Sequence, residues 1–359
     1  MAPDEPKDTN DPETPVPPIE VVEPSESGES APTEPVVPAI EAAGLGHEFR
    51  GVRTGLRRRQ PPLTRALEGL SFTIGPGEAV GLVGAPGAGK TTLVELLTGT
   101  IPPTQGTLQI CGLAPASAQA GVNGKVALVS RRRPRLWPDL PLADALRMVA
   151  AAHDLPHHQW IARRTELVQR LELASVLDHP IHRLSPGRRI CSELAAALLA
   201  EPELVILDHP TREIDALSRE RLRSFLRQEH RVHGRTILIT SRDLSDVAPV
   251  CDRLLVLDQG RLAYDGDQAG LVERAGALRV LVVDLYEPAR RLDDVPGTQL
   301  FAVEGDGRRQ RLSLAPGGRS TAQVLADIAT RATIRDLTLE EVPLEDLVRR
   351  LSPPPRTLP

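Results

Sequence analysis

The residues whose types and spacing point most directly to chemistry lie at positions 80–92, which read V-G-L-V-G-A-P-G-A-G-K-T-T. Positions 84–91 match the pattern G-x-x-x-x-G-K-[ST] at every fixed position. Glycines let a backbone curl until its N–H groups point at phosphate oxygens. Lys90 can reach the β- and γ-phosphates, and the Thr91 hydroxyl can bind Mg²⁺. The pattern therefore predicts a P-loop for a nucleoside triphosphate with Mg²⁺, formed by Gly84, Ala85, Gly87, Ala88, Gly89, Lys90, Thr91 and Thr92.

The segments on either side of this loop are the ones that phosphate binding requires. The apolar run 79–83 is typical of a buried strand, and the run 91–98 places Leu93, Leu96 and Leu97 on one face of a helix. A helix that begins at the loop adds partial positive charge toward a bound phosphate. An ordinary glycine turn before a helix is the alternative, but the strand, loop and helix in this order favour the P-loop.

The N-terminal segment 1–43 differs from the rest of the chain in composition. It contains ten Pro, eleven Asp or Glu and one basic residue, Lys7, so its charge is −10, whereas the whole chain carries −5. Low hydrophobicity, high charge and frequent proline predict a disordered acidic tail, which could recruit a partner. The segment lacks the basic start and apolar core of a secretory signal.

Hydropathy and cysteine usage restrict the location of the protein. No run of 18 apolar residues occurs, so no segment is expected to span a membrane, and any membrane role must come through a partner. Cys111, Cys191 and Cys251 are scattered without a C-x-x-C spacing, which is typical of reduced thiols in a cytosolic protein. Basic clusters are short, which disfavours nucleic-acid binding.

The segment before the P-loop carries a resemblance to a known family. An alternating run at 66–74 is followed by the turn Gly75-Pro76-Gly77-Glu78 and then by the P-loop strand. This order resembles the nucleotide-binding domain of ABC ATPases. In that family an upstream aromatic residue stacks on adenine, and Phe49 is the matching position. A core phenylalanine on a strand is the alternative for Phe49.

Two further stretches match motifs of this family. Positions 184–188 read L-S-P-G-R and resemble the signature loop, usually L-S-G-G-Q, in which Ser185 and Gly187 would face the γ-phosphate of a second copy. Positions 204–211 read L-V-I-L-D-H-P-T and resemble the Walker B strand. The resemblance implies that Asp208 holds Mg²⁺ through water.

Several positions depart from the family pattern, and in the family all of them act in the hydrolysis of ATP. Arg131 or Arg132 replaces a Gln that binds Mg²⁺, His209 replaces the Glu that polarises the attacking water, and Arg242 replaces the switch His. A guanidinium repels Mg²⁺ but could contact the γ-phosphate. In the signature loop, Pro186 removes a backbone N–H. We therefore expect intact nucleotide binding and weak or absent hydrolysis, in which His209 and Arg242 are the candidate catalytic residues. A substitute set that still hydrolyses slowly is the alternative.

The resemblance covers roughly residues 45–350 and implies an α/β P-loop NTPase fold of the ABC ATPase type with a helical subdomain. The predicted divisions are the tail 1–43, the ATP-binding domain 44–270 and a small C-terminal α+β appendage at 271–359. The appendage is expected to contain strands at 278–285, 310–314 and 334–342 and a helix at 321–331.

The resemblance implies one of two functions. The first is the ATP-binding subunit of an exporter, which binds ATP and Mg²⁺, forms a homodimer or heterodimer and gates a separate integral-membrane permease. That protein would be cytoplasmic and peripheral at the inner face of the membrane. The second is an ATP-sensing adaptor without a transport role, whose acidic tail binds a partner. For contact with a permease, the segment 131–147 is the predicted surface, with Trp137 as its anchor; a core Trp137 is the alternative.

Overall fold

The structure is a computed structural model, and it describes residues 37–50, 63–115, 124–275, 279–289, 291–314 and 318–341. Most of the predicted acidic tail and the end of the predicted appendage lie outside these residues.

Strands and helices alternate along most of the described chain. The strands are β1 (Ile40–Arg50), β2 (Leu63–Ile74), β3 (Ala79–Gly84), β4 (Gln105–Ile110), β5 (Val126–Ser130), β6 (Leu204–Asp208), β7 (Thr236–Ser241), β8 (Arg253–Asp258), β9 (Arg261–Gly266), β10 (Arg279–Leu285), β11 (Thr298–Glu304), β12 (Arg309–Leu314) and β13 (Ile334–Glu341). The helices are α1 (Lys90–Leu97), α2 (Leu142–Ala152), α3 (His157–Arg170), α4 (Pro186–Leu198), α5 (Ala216–Arg231), α6 (Leu244–Val247), α7 (Gln268–Ala275) and α8 (Thr321–Ala329).

The central sheet has the order β5-β6-β7-β3-β8-β9, with its first five strands parallel and β9 antiparallel. Every residue of β3, β6 and β7 is buried, as expected for parallel strands that are covered on both faces. The carboxyl ends of these strands meet at one edge, where ligands bind in open α/β sheets. The P-loop leaves the sheet at this edge, which confirms the predicted α/β fold.

A second, antiparallel sheet has the order β2-β1-β4 and shares an apolar core with α1. Strand β1 begins at Ile40, inside the segment assigned to the acidic tail. Ile40 and Ala42 are 0% and 4% exposed, because β1 pairs with β2 on one side and with β4 on the other. The tail boundary at residue 43 is therefore wrong. Proline and charge density cannot reveal where a short apolar strand begins.

The helical segment between β5 and β6 contains α2, α3 and α4. In α2 the buried positions are Leu142, Ala145, Leu146, Val149 and Ala150, which is the spacing of a helix with one face in the core. In α3 the buried residues, Trp160, Leu167 and Val168, are few. None of the described helices is long and apolar enough to cross a bilayer.

The C-terminal sheet has the order β11-β12-β10-β13 and packs one face on α8 around Leu281, Val283 and Leu312. Two residues of the opposite face, Val280 and Val282, belong to the same apolar cluster as the central sheet. The predicted boundary at residue 271 falls inside α7. The appendage has its own sheet, yet it shares core side chains with the ATP-binding domain.

We predict that residues 1–36 contribute little to folding, because their composition buries too little apolar surface to offset the loss of chain entropy. Their removal should shift the melting temperature by less than about 2 °C. Removal of residues 1–43 also deletes Ile40 and Ala42, whose burial is worth about 2 kcal/mol or more, so this variant should melt at least about 3 °C lower. Thermal unfolding followed by circular dichroism measures both. Equal melting temperatures of the two truncations would contradict this prediction.

Candidate nucleotide-binding site

The P-loop connects β3 to α1 through backbone conformations that require glycine. Gly89 has a φ of 104°, and a Cβ atom there would lie 2.6 Å from Leu67 Cδ2 and 2.7 Å from the carbonyl oxygen of Ala66. At Gly84, a Cβ atom would lie 2.4 Å from the carbonyl oxygen of Leu257. The Ala88 carbonyl accepts a hydrogen bond from the N–H of Gly260, which fixes the loop to the turn between β8 and β9.

Lys90 is the first residue of α1 and is 4% exposed. Its Nζ donates hydrogen bonds to the carbonyl oxygens of Gly84 at 2.5 Å and Ala85 at 3.1 Å. Burial and the positive charge of Arg242 lower the pKa of Lys90 to about 8, and the charge of Asp208 opposes this shift. The ammonium therefore lies inside the loop, close to both an acidic and a basic side chain.

Asp208 ends β6, and its carboxylate lies between two hydroxyl groups from the neighbouring strands. Oδ2 accepts from Ser130 Oγ at 3.3 Å, and Oδ1 accepts from Thr240 Oγ1 at 2.8 Å. The three residues are in register across β5, β6 and β7. Neither hydroxyl was singled out in the sequence, although a polar residue near the carboxyl end of a buried strand was the available signal.

His209 follows Asp208 in a left-handed conformation with a φ of 51°. Its backbone N–H donates to Thr240 Oγ1 at 3.0 Å. Burial lowers the pKa of the imidazole; the charge of Asp208 opposes this, while Lys90, Arg242 and Arg212 lower it further. These effects favour the neutral imidazole, which can accept a proton but carries no negative charge.

The P-loop, Asp208 and His209 border one cleft of about 550 Å³. The described residues that line it are Phe49, Thr64, Arg65, Ala66, Pro86, Gly87, Ala88, Gly89, Lys90, Thr91, Thr92, Ser130, Arg131, Arg132, Asp208, His209, Arg212, Glu213 and Arg242. Gly84 and Ala85 contribute through the carbonyl groups that accept from Lys90. Both Arg131 and Arg132, the two alternatives for the Gln position, line the cleft. Thr64, Arg65, Arg212 and Glu213 were not predicted from the sequence.

Phe49 lies at the rim of this cleft and is 41% exposed. It makes an edge-on contact with the ring of His47, with a centroid distance of 4.6 Å. His47 is buried, and its Nδ1 lies 3.1 Å from the carbonyl oxygen of Pro102. The core alternative for Phe49 therefore does not hold.

Ser185 and Gly187 do not line the P-loop cleft. Ser185 is the N-cap of α4, where its Oγ accepts from the N–H of Arg188 at 3.3 Å. Pro186 occupies the first helical position, where its missing N–H has no intrahelical partner to lose. A Cβ atom at Gly187 would lie 2.3 Å from Ser218 Oγ, so glycine is needed there for packing against the start of α5.

The side chains fit a Mg²⁺ ion only in part. Thr91 and Asp208 are present, but a guanidinium stands where the family resemblance implies an amide ligand. Both carboxylate oxygens of Asp208 already accept hydrogen bonds from hydroxyl groups. Among the described residues, no three His, Cys, Asp or Glu side chains lie close enough together to hold a metal ion.

A glycine loop between a buried parallel strand and a helix, with an aspartate at the end of a neighbouring strand, defines a P-loop nucleotide-binding domain. The model of the ABC transporter family matches residues 67–212. Over 245 residues the chain is 33% identical to Nod factor export ATP-binding protein I of Burkholderia thailandensis, covering 67% of this chain and 79% of that protein. The protein of the same name from Ralstonia nicotianae is 33% identical over 305 residues, which cover 80% and 90% of the two chains.

Solved structures agree with this relationship. A structure described as the ATP binding subunit of an ABC transporter shares 26% identity with this chain and has a TM-score of 0.57. The match covers 66% of this chain and 93% of that one. The chain belongs to the ABC transporter family, as an ATP-binding domain. ABC ATPase domains bind ATP, normally with Mg²⁺, and they dimerise and pair with membrane permease subunits.

Proposed function

We propose that this protein is the ATP-binding subunit of an ABC-type export complex, with ATP hydrolysis that is weak or lost. The observation that carries the proposal is the composition of the cleft. Lys90, Thr91 and Asp208 remain in place for phosphate and metal, whereas the positions of the hydrolytic step hold His209 and Arg242. Export is supported by the names of the two relatives, both of which are export ATP-binding proteins.

In this proposal, ATP lies along the cleft from its aromatic rim to the P-loop. Phe49 stacks on the base, because its ring is exposed at the rim and any aromatic face can stack on a base. Backbone N–H groups from Gly87 to Thr92 and the ammonium of Lys90 bind the phosphates. Thr91 and Asp208 are the two residues that would hold Mg²⁺.

The position of the signature loop supports dimerisation. Ser185 and Gly187 lie outside the cleft of their own chain, so they would act on a nucleotide held by a second ATP-binding subunit. That subunit is a second copy of this chain or a related protein. We place the resulting dimer at the inner face of the membrane, on a separate permease.

The proposed permease contact is centred on Trp137, in the segment that connects β5 to α2. Trp137 is 48% exposed, whereas the preceding Leu136 is 2% exposed and fixes the segment to the core. The carbonyl of Pro138 accepts hydrogen bonds from the N–H and Nδ1 of His182 at 2.9 and 3.0 Å. A large apolar side chain on a rigid segment is typical of an interface anchor, and the core alternative for Trp137 does not hold.

Trp137→Ala is expected to reduce the amount of permease that co-purifies from membranes at least about ten-fold, since interface tryptophans often contribute 2 kcal/mol or more. Its melting temperature should remain within about 2 °C of the wild-type value, because the side chain is half exposed. Co-purification followed by identification of the recovered proteins measures the first effect, and thermal unfolding measures the second.

Two variants serve as controls. Val232→Ala removes an apolar side chain that is 69% exposed at the end of α5, and it should leave permease recovery unchanged. Trp160→Ala removes a tryptophan that is 8% exposed, and it should lower stability by about 3 kcal/mol or more. If the wild-type protein recovers no permease at all, the exporter proposal fails and the ATP-sensing adaptor becomes the better assignment.

A further inference from the structure

The cleft contains far more positive than negative charge. Among the described residues that line it, six are basic and two are acidic. The acidic residues are Asp208 and Glu213, and the basic ones are Arg65, Lys90, Arg131, Arg132, Arg212 and Arg242. A triphosphate carries about four negative charges, so a site of this composition can neutralise it with side chains alone.

Nearby carboxylates form ion pairs with only some of these basic side chains. Glu213 accepts from Arg131 at 2.8 Å and lies 3.3 Å from Arg212 Nε, so one carboxylate serves two guanidinium groups. Arg65 is directed to Glu48 at 2.9 Å and to Glu68 at 3.7 Å.

The second carboxylate of the cleft, Asp208, forms no ion pair with any residue in the described part of the chain. Asp208 accepts instead from the hydroxyl groups of Ser130 and Thr240, at 3.3 and 2.8 Å. The hydrogen-bond donors to this carboxylate are therefore neutral hydroxyl groups.

Two guanidinium groups in the cleft remain without a partner. The side chains of Arg132 and Arg242 make no hydrogen bond or ion pair to any residue in the described part of the chain, and both are exposed to the cleft. Their elements converge on the terminal-phosphate end, because Arg132 follows β5 and Arg242 follows β7, on either side of Asp208. Lys90 lines the same cleft, and the positive charge of Arg242 lowers its pKa.

Arg132 and Arg242 line the same cleft as Thr91 and Asp208, the two residues that would hold Mg²⁺. A guanidinium binds phosphate through two parallel N–H groups and repels a metal ion. Mg²⁺ needs near-octahedral oxygen coordination. The neighbouring side chains supply the Thr91 hydroxyl and one carboxylate that is already hydrogen-bonded twice.

We infer that this cleft binds a nucleoside triphosphate without requiring a divalent cation, because Arg132 and Arg242 neutralise the terminal phosphates. The inference rests on the proposed function, since it concerns the same ATP site, and it specifies which form of the ligand the site accepts.

The test compares ATP binding by the purified full-length protein in excess MgCl₂ and in excess EDTA, by isothermal titration calorimetry. The dissociation constants should agree within about three-fold, and a loss of ten-fold or more in EDTA would overturn the inference. Absence of binding in both buffers would instead refute the proposed ATP site itself, so the two failures are distinguishable.

The variant R132Q/R242Q assigns the effect to the two arginines. It should bind ATP at least ten-fold more weakly than wild type in EDTA and should regain affinity when MgCl₂ is added. The matched control is Arg133→Gln, because Arg133 follows Arg132 directly but contacts Glu95 and Thr100 outside the cleft. This control should bind like wild type in both buffers. If the double variant also binds like wild type in EDTA, the assignment of the arginines is wrong.

Discussion

Replacement of Lys90 by alanine is expected to weaken ATP binding at least ten-fold, which is about 1.4 kcal/mol. The buried Nζ atom donates to the carbonyls of Gly84 and Ala85 at the start of the P-loop, where the lysine of this motif reaches the β- and γ-phosphates. No other side chain of the loop carries charge. Isothermal titration calorimetry with the purified protein measures the change.

The control for this variant is Lys125→Ala. Lys125 precedes β5 and pairs with Glu203 at 2.9 Å on the surface, so its removal should leave ATP affinity unchanged. Because Lys90 also holds two loop carbonyls, the melting temperatures of both variants must be compared. Unchanged ATP affinity in a folded Lys90→Ala variant would show that the P-loop assignment is wrong.

The sequence predicted the central part of the fold well because two strong signals coincide there. The strands β3, β6 and β7 are buried on both faces, so each is a continuous apolar run. Such a run predicts a strand from the local sequence alone. The glycine pattern at 84–91 fixes the loop between β3 and α1 independently of any long-range contact. Local rules were sufficient for these elements, and the structure confirms them.

Other features depend on contacts between distant segments and could not be read from one sequence. Strand β1 begins at Ile40 because two partner strands cover it, and nothing in the local composition indicates those partners. Strand β11 (Thr298–Glu304) was missed for a similar reason, since it is defined by pairing with β12. The shared core of the C-terminal sheet became visible only when Val280 and Val282 were placed beside the central sheet.

The residues of the site also divide into those that the sequence predicts and those that depend on contacts between distant segments. The sequence identified Lys90, Asp208, His209 and Arg242, because a motif or a family position names each of them. The pairing of Glu213 with Arg131 required the structure, since it depends on how the loop after β6 turns toward β5. For Phe49 and Trp137, the amino-acid type alone left core and surface equally open, and exposure decided between them.

Steady-state ATPase activity of the wild-type protein is expected to be at least about 100-fold below that of a competent exporter. Loss of one group that stabilises the transition state commonly costs 10²–10³-fold. His209 can accept a proton but has no negative charge to polarise water, and Arg242 has charge but no acceptor to position water. Phosphate release by the purified protein in MgCl₂ measures the rate. With ATP bound and not hydrolysed, the protein should form a stable dimer, which size-exclusion chromatography detects.

Restoration of the family residues should be strongly cooperative. His209→Glu alone should recover little activity, because Arg242 remains at the switch position. In the double variant H209E/R242H, the activation free energy of hydrolysis should fall by more than the sum of the two single changes. The difference should be about 0.5 kcal/mol or more. The charge of Arg242 lowers the pKa of His209, so the two side chains already interact across the cleft and are expected to couple. A double-mutant cycle of ATPase rates measures the coupling.

The origin of any measured turnover decides between the two interpretations of the altered residues. The Lys90→Ala variant gives the background, because it removes the phosphate-binding cation and leaves His209 and Arg242 in place. If the wild-type protein hydrolyses ATP rapidly and Lys90→Ala abolishes this activity, then His209 or a neighbour serves as the base and the expectation of weak hydrolysis is wrong. If wild-type activity equals the background while H209E/R242H exceeds it, binding and hydrolysis are separated in this chain. In a homodimer both sites would share this property, since each combines the same altered cleft with the same altered signature loop, whereas a partner subunit with the usual motifs would restore only half of each site.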